Sequence, residues 1–452
     1  MTGQIKHMKC AVISPIGPGH QDLIKECAAS VGQAKAHSQG PFSEIVHIAV
    51  DDTSGTLGRS RARNAGISLA VQQGADWIFF VDADDLLLKE TFSAVADLVD
   101  GCDAIWGLIQ EQRLGTHEPT IRRPQVTQIN SLLALMAHDP YQTLQMGHFV
   151  RTDVAAQIRF DEARDFGEDF DYYLRLWHKH RCIKIPRPLF LNRIGHSASG
   201  PRSGDGRQWR PRVHSVIEDF ARHIHLTGKV SLHEAQSVFT IPMPFDTIQT
   251  HHLAGKFHEQ EELDYLRSTL PPGMTIADIG AHVGNHSVYL HRYLAPASIT
   301  VFEPNERVIP ILRENLSLND VRCADTSHLG LGLGLGLGAC TGRAVLHAPD
   351  VRNTDRATLV RSNDGGISIH PLDALLDRHT DFLKIDVSGM EMDVLAGAAS
   401  VMETSHPDML ISIRQTDAGS FSQWLEAHHY SIAREFRHDG YSNIHVRFHG
   451  AG

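Results

Sequence analysis

The stretch W77-I-F-F-V-D-A-D-D-L-L87 ends an apolar run with three acids in four residues. The apolar part reads as a strand, and Asp82, Asp84 and Asp85 then crowd like charge at its end. Carboxylates this close take up protons unless a cation or hydrogen bonds keep them ionised. The stretch therefore anticipates something positive.

Strand-like and helix-like segments alternate outward from it. C10-A-V-I-S-P-I16 reads as a strand, a helical stretch starts at Gln21, E44-I-V-H-I-A-V-D-D52 is a second strand, and R59 to V71 is helical. A helix from Lys89 and a strand from Cys102 follow the acids. Such alternation implies a parallel sheet with helices on its faces. The Gly, Ser and Pro content of S197 to G206 marks a loop, and V213 to I224 reads as a bridging helix. From Met274 the pattern restarts, with strands at M274–G280, S298–E303, F382–V387 and M409–I413, and a closing antiparallel pair at Y430–E435 and N443–F448. The expected architecture is α/β in two domains, residues 1–228 and 229–452, divided near Gly228. G330-L-G-L-G-L-G-L-G338 reads as a flexible loop, because glycine at every second position weakens a strand and disfavours a helix.

The chain has 452 residues, 42% hydrophobic and 21% charged, enough for two or three cores. Its formal net charge of -11 offers no basic footprint for DNA or RNA, so nucleic acid is excluded as a partner. Cys10, Cys27, Cys102, Cys182, Cys323 and Cys340 show no C-x-x-C spacing, which points to reduced thiols in a cytosolic compartment. No signal peptide is read at the N-terminus, and no apolar run approaches the roughly 20 residues of a membrane helix. Cytoplasmic location is expected, with peripheral association at the inner face of a membrane left open, as is oligomeric state. Thirty histidines include the pairs His251-His252 and His428-His429, but adjacent histidines diverge on strand or helix and rarely share a metal.

Two-residue periodicity would let Asp82 and Asp84 converge on one cation while Asp85 turns away. Oxygen ligands suit a hard divalent ion, magnesium or manganese, which could neutralise a diphosphate leaving group. The bland reading is a helix N-cap at Asp84 or Asp85. Asp51 and Asp52 end an earlier strand, where ligands gather in parallel sheets, and Arg63 and Asn64 open the next helix, where the arginine meets phosphate or holds the loop. F166-G-E-D-F-D-Y-Y-L-R-L-W177 and N192-R-I-G-H-S-A-S199 follow.

In that order these motifs resemble glycosyltransferase family 2 of the GT-A fold, over roughly Cys10 to Ser199. The resemblance implies that Asp51 contacts the nucleotide base with Asp52 beside it, that Asp82 holds ribose or metal, and that Asp84 holds the metal. It makes Asp169, or else Glu168, the general base that activates an acceptor hydroxyl, with inversion at the sugar. It makes His196 a third metal ligand or diphosphate contact. The donor it implies is a nucleotide sugar, UDP-linked, and the acceptor a glycan.

D278-I-G-A-H-V-G284 lies between a strand and a helix, where backbone amides receive an anion. Gly280 and Gly284 are present, but the dinucleotide pattern G-x-G-x-x-G is not met, which disfavours NAD. S-adenosylmethionine fits better, with Glu303 at the next strand end for its ribose. Together with E314-N-L-S-L-N319 and L383-K-I-D-V-S-G-M-E391, this resembles the FkbM-type methyltransferases over roughly Ile241 to Phe448. The resemblance implies a Rossmann-like class I sheet, with Asp278, Gly280, Gly284 and Glu303 on the cofactor. Asp386 and Glu391, with Lys384 beside them, ring the reacting centre; the bland readings are Lys384 as a strand residue and Glu391 as a cap of its own helix. Ser388 and His282 depart from the family's usual Glu and Asn.

A bifunctional enzyme of glycan assembly is the expected function, pairing metal-dependent sugar transfer with O-methylation of a sugar hydroxyl. The alternative is a glycosyltransferase whose second domain is a non-catalytic docking module.

Overall fold

The computed structural model describes residues 7–116, 118–164, 166–195, 209–329, 335–347, 354, 357–376 and 379–450. Two compact units divide the chain, Met1–Ile224 and His225–Gly452. Gly228, the boundary expected from sequence, lies inside a strand of the second unit.

The first unit is built on β1 (Met8–Ile16), β2 (Phe42–Asp51), β3 (Trp77–Phe80), β4 (Leu86–Leu87), β5 (Ala104–Arg113), β6 (Thr120–Ile121), β7 (His148–Arg151) and β8 (Cys182–Ile194). They run in the order β2-β1-β3-β7-β5-β8-β4, with β6 beside β5. β1 pairs in parallel with β2 and β3, and β5 with β8, whereas β7 is antiparallel to β3 and β5, and β4 to β8. The sheet is therefore mixed, not the parallel sheet expected. Its β2-β1-β3 part keeps the parallel order, and Cys10 to Ile13 of the middle strand are fully buried, as a strand covered on both faces must be. The Arg59–Gln72 helix lies close on β1: a Cβ on Gly66 would stand 2.4 Å from Ile13 Cγ2.

No α-helix begins at Lys89. Turns and one short 3-10 segment, Ser93–Val95, occupy that place. Thr91 Oγ1 donates to the Leu88 and Leu189 carbonyls, and Phe92 is buried edge-on to Phe42 and Phe149. Packing of that aromatic outweighs local helix preference.

The second unit opens on an antiparallel pair, β9 (Thr227–Leu232) and β10 (Ala235–Thr240). Its main sheet holds β11 (Thr275–Ile279), β12 (Ser298–Phe302) and β13 (Ala324–Asp325). A smaller sheet comprises β14 (Leu335–Leu337), β15 (Gly342–His347), β16 (Thr358–Arg361) and β17 (Ile367–His370). The chain then returns to the main sheet with β18 (Phe382–Ile385), β19 (Asp408–Arg414), β20 (Tyr430–Arg437) and β21 (Tyr441–Phe448). The order is β13-β12-β11-β18-β19-β21-β20, parallel except for β21, which runs antiparallel to both neighbours. This is a doubly wound Rossmann-like sheet whose strand order reverses between β11 and β18. Ligands bind at the carboxyl ends of such a switch point.

Within the Leu-Gly run, Leu335 to Leu337 form β14, parallel to β17, which corrects the loop reading there; residues 330–334 lie outside the described residues. The glycine face is covered: a Cβ on Gly336 would stand 2.6 Å from Leu359 Cδ1. A neighbour's side chain fills the space that a larger residue would need.

Gly280 follows β11 at φ +78, and a Cβ there would stand 1.9 Å from the Asp386 carbonyl oxygen after β18. Both the backbone conformation and the close approach demand glycine. Gly280→Ala is expected to cost roughly 2 kcal/mol or more. The check is hydrogen exchange of the β11 and β18 amides, which should accelerate; unchanged protection would refute the close approach.

Candidate functional sites

In the first unit the carboxyl ends of β2 and β3 flank that of β1, so Asp51, Asp52 and the acids after Phe80 collect on one edge. β3 has ended before Asp82, and the Asp85 amide closes a turn on the Asp82 carbonyl at 3.0 Å. Strand alternation therefore does not govern these side chains. Asp85 does not turn away: one carboxylate oxygen from each of Asp82, Asp84 and Asp85 lies within 4.8 Å of the others.

Arg63 meets this cluster. Its guanidinium contacts Asp82 Oδ1 at 3.0 Å and Glu168 Oε1 at 3.1 Å, with all three side chains at least four-fifths buried. Burial works against the charge of Arg63, and Asp82 and Glu168 more than offset it. Asn64 clamps a separate loop, accepting from the Phe160 amide and donating to its carbonyl, each at 2.9 Å. From β8, Arg193 donates its backbone amide to Asp85 Oδ1 at 2.9 Å and its side chain to the Asp84 carbonyl and to Glu26. The sequence assigned no role to Arg193 beyond its place in a motif, because nothing local shows that β8 returns beside the acid turn.

Asp51 is exposed, and its Oδ1 accepts from the Thr53 amide. Asp52, expected at the nucleotide, instead spends its two oxygens on the Leu57 and Gly58 amides, both at 2.9 Å, and shapes the loop into the next helix. Glu168 and Asp169 begin the Glu168–Lys179 helix, where the macrodipole favours acids. Glu168 is committed to Arg63, whereas burial, and then the neighbouring Glu168, push the Asp169 carboxyl up to about 7. His196 lies outside the described residues.

The second unit holds a cavity of about 820 Å³ including its mouth. It opens at the switch point, between the turn after β11 and the end of β18. Leu335, Leu337, Leu346 and Leu359 line its apolar end. Gly280, Glu303, Lys384 and Asp386 form part of its polar wall, with Ser388 at φ +51. Glu303 accepts from the His282 and Asn305 amides, both at 2.8 Å, and burial raises its proton affinity. Those two bonds leave further acceptor capacity on a carboxylate.

Lys384 is buried, donates to the Gly280 carbonyl at 2.6 Å, and lies 3.4 Å from Asp278 Oδ1 and 3.9 Å from Asp386 Oδ2. Burial opposes its charge, but Asp278 and Asp386 raise its proton affinity overall. Burial likewise raises that of Asp386. Three expected site residues are placed elsewhere. Asp278 accepts from Ser287 Oγ at 2.6 Å beneath the turn, without lining the cavity. Glu391 accepts from the Val387 and Gly389 amides at 3.2 and 2.9 Å, so it clamps the loop before its own helix and is not a wall residue. Gly284, at φ +85, starts the Asn285–Leu294 helix and does not line the cavity either.

Sequence reading missed His258, Glu259 and His286, all on the cavity wall. It also gave no partner for His282, whose Nε2 lies 2.7 Å from Thr354 Oγ1, itself donating to Asp246 Oδ2 at 2.6 Å. These residues converge from segments far apart in the chain, and no spacing announces them.

Residues 29–161 match the family model described as Glycosyl transferase family 2, and residues 278–442 that of the Methyltransferase FkbM domain. Methyltransferase 1 of Beauveria bassiana (strain ARSEF 2860) is 23% identical over 191 residues, covering 36% of this chain and 75% of that protein. Methyltransferase sdnD of Sordaria araneosa is 27% identical over 161 residues, covering 29% of this chain and 62% of that protein, less than two thirds of its length. Among solved structures, S. aureus TarS 1-349 in complex with UDP-GlcNAc is 14% identical, covers 68% of this chain and 85% of that chain, and has a TM-score of 0.35. No helix among the described residues is long and apolar enough to cross a membrane.

Asp169 yields a pH prediction. Its folded pKa of about 7 lies above the value near 3.8 of an unperturbed aspartate, so the folded state holds this proton more tightly. Its stabilising contribution is full below about pH 4 and is lost as pH rises through 7. Asp169→Asn should remove that decline. Denaturant unfolding of both forms between pH 4 and 8 checks this, and parallel stability profiles would contradict it.

Proposed function

We propose, for a transferase that joins a glycosyltransferase family 2 domain to an FkbM methyltransferase domain, the following division of labour. The first unit transfers a sugar from a UDP-linked donor to a glycan hydroxyl with inversion, and the second O-methylates a hydroxyl with S-adenosylmethionine. The functional boundary falls between the bridging helix, Trp209–His223, and β9.

The observation that carries the first half is the pairing of an acid turn with a separate, protonatable acid. Asp82, Asp84 and Asp85 offer an all-oxygen donor set that fits a divalent cation of the magnesium or manganese class. Such an ion, when bound, supplies charge stabilisation for a diphosphate leaving group. Arg63 holds Asp82 and Glu168 in place, and Arg193 fixes the turn from the other side. Asp169 then accepts the proton of the acceptor hydroxyl, with a proton affinity suited to neutral pH. Asp51, exposed at the end of β2, is available to the base of the nucleotide.

The second half rests on the fit of the cavity. Its apolar end suits an adenine ring, Glu303 has acceptor capacity for ribose hydroxyls, and the glycine turn beside Asp386 suits an amino-acid end. A formed cavity with these groups supports catalysis over the docking-module reading.

Asp84→Ala is the test. Sugar transfer, read as UDP release from a panel of UDP-sugars with manganese, should fall at least a hundredfold (~3 kcal/mol in the barrier). Binding of S-adenosylhomocysteine, read by calorimetry, should stay within twofold. Transfer that survives the substitution would overturn the assignment of the acid turn.

A further inference from the structure

Glu259 is a nearly buried carboxylate in left-handed backbone conformation, at φ +54, just before the Gln260–Thr269 helix. No lysine or arginine is paired with it among the described residues. Its Oε2 lies 3.3 Å from His286 Nε2, and its Oε1 accepts from Asn443 Nδ2 at 2.7 Å. His286 is the second residue of the Asn285–Leu294 helix, 93% buried in its side chain, and it lines the same cavity as Gly280, Glu303 and Asp386. This buried carboxylate is fixed by an amide on Oε1, which also lies 3.8 Å from His258 Nε2, and faces the His286 imidazole with Oε2. It orients that ring and stabilises the imidazolium formed when the ring gains a proton.

We propose that His286, oriented by Glu259, is the proton acceptor of the methyl-transfer cavity. The inference rests on the reading of this cavity as an S-adenosylmethionine site. As the acceptor oxygen bonds to the methyl carbon, the S–CH3 bond breaks and its electron pair stays on sulfur. The hydroxyl proton passes to His286. The cation thus moves from sulfonium to imidazolium, so no net charge is created in the cavity. Glu259 is a positioning residue, which keeps the ring set for this exchange.

Several groups face His286 or share its wall: Glu259 and His258 from the segment before the Gln260–Thr269 helix, His282 from the glycine turn, and Lys384 and Asp386 from the end of β18. His258 is pushed down to about 4 by burial and stays neutral, and Lys384 is committed to Gly280 and Asp278. Asp386, whose proton affinity burial raises, is the competing acceptor.

The two states of the methyl donor separate these possibilities. S-adenosylmethionine carries the sulfonium charge and S-adenosylhomocysteine does not, while their amino-acid and nucleoside parts are the same. A sulfonium beside a protonated His286 expels the proton, so donor binding should release more protons than product binding. Calorimetry of the full chain over a series of pH values, in buffers of different ionisation enthalpy, counts them. A difference of up to one proton is expected for the native protein. His286→Gln should abolish that difference while S-adenosylhomocysteine affinity stays within about threefold. Glu259→Gln should shrink the difference, because the ring loses its charged neighbour. A merely structural role for the pair would change affinities without changing the proton difference.

Equal proton counts for the two ligands in the native protein would overturn the inference. So would a difference that persists in His286→Gln and vanishes in Asp386→Asn, which would place the proton on Asp386. Failure of both ligands to bind would instead overturn the reading of the cavity itself, and with it this inference.

Discussion

Arg63 bridges Asp82 and Glu168 inside the first unit, and the arrangement of that site depends on this pair of contacts. The carboxyl edge of a parallel sheet gathers side chains at a ligand site, and here it gathers five acids from two strand ends. Like charges gathered this closely repel one another unless cations or hydrogen bonds hold them. One buried guanidinium holds an acid of the turn on one side and the first acid of the Glu168–Lys179 helix on the other. Removing one member of such a buried set typically costs about 3–5 kcal/mol, since it strands the remaining charges without a partner. Because Glu168 is committed to Arg63, Asp169 is the acid of that pair left to exchange a proton. Ion pairing and candidate chemistry are thus divided between adjacent residues.

The second unit solves the same problem with lysine. Lys384 lies in a fully buried strand and lies between Asp278 and Asp386 while donating to the Gly280 carbonyl. A compact ammonium with three donors suits this position, where three acceptors converge from different directions; the flat fork of arginine suits the two carboxylates held by Arg63. In both units a buried cation holds acidic side chains of the candidate site in place.

Much of this was legible in sequence, and the limits have physical causes. The two domains, their α/β character, the acid turn and the glycine turn all rest on local patterns, which short segments carry by themselves. The errors arise where distant segments decide the outcome. Asp85 was expected to turn away because a strand was assumed to continue through the acids, but β3 ends at Phe80. Lys89 does not start a helix because Phe92 is drawn into the cluster of Phe42 and Phe149. Glycines 336 and 338 looked like breaks, yet each lies where Leu359 or Ile369 already fills the space, so the leucines between and beside them line the cavity. Glu391 and Asp278 belong to the right motifs, but their carboxylates support the turns and do not face the cavity.

The histidines show the same limit from the other side. Thirty in one chain is a compositional signal without a location, and the adjacent pairs that attract notice are not the ones that meet the cavity. His252 is buried against Phe239, with ring centroids 3.7 Å apart, and its Nε2 lies 3.0 Å from Asn285 Oδ1. Asn285 in turn contacts the His258 backbone and precedes His286, so the ring stack holds the segment from which Glu259 projects. Burial, not titration, sets the role of His252, pushing it down to about 3. His286 lies nearer the fixed Glu259 carboxylate, at 3.3 Å, than His258 does, at 3.8 Å. What separates a packing histidine from a proton-accepting one is the third residue it meets, and in this fold Asn443 of β21 holds that residue from more than 180 positions away.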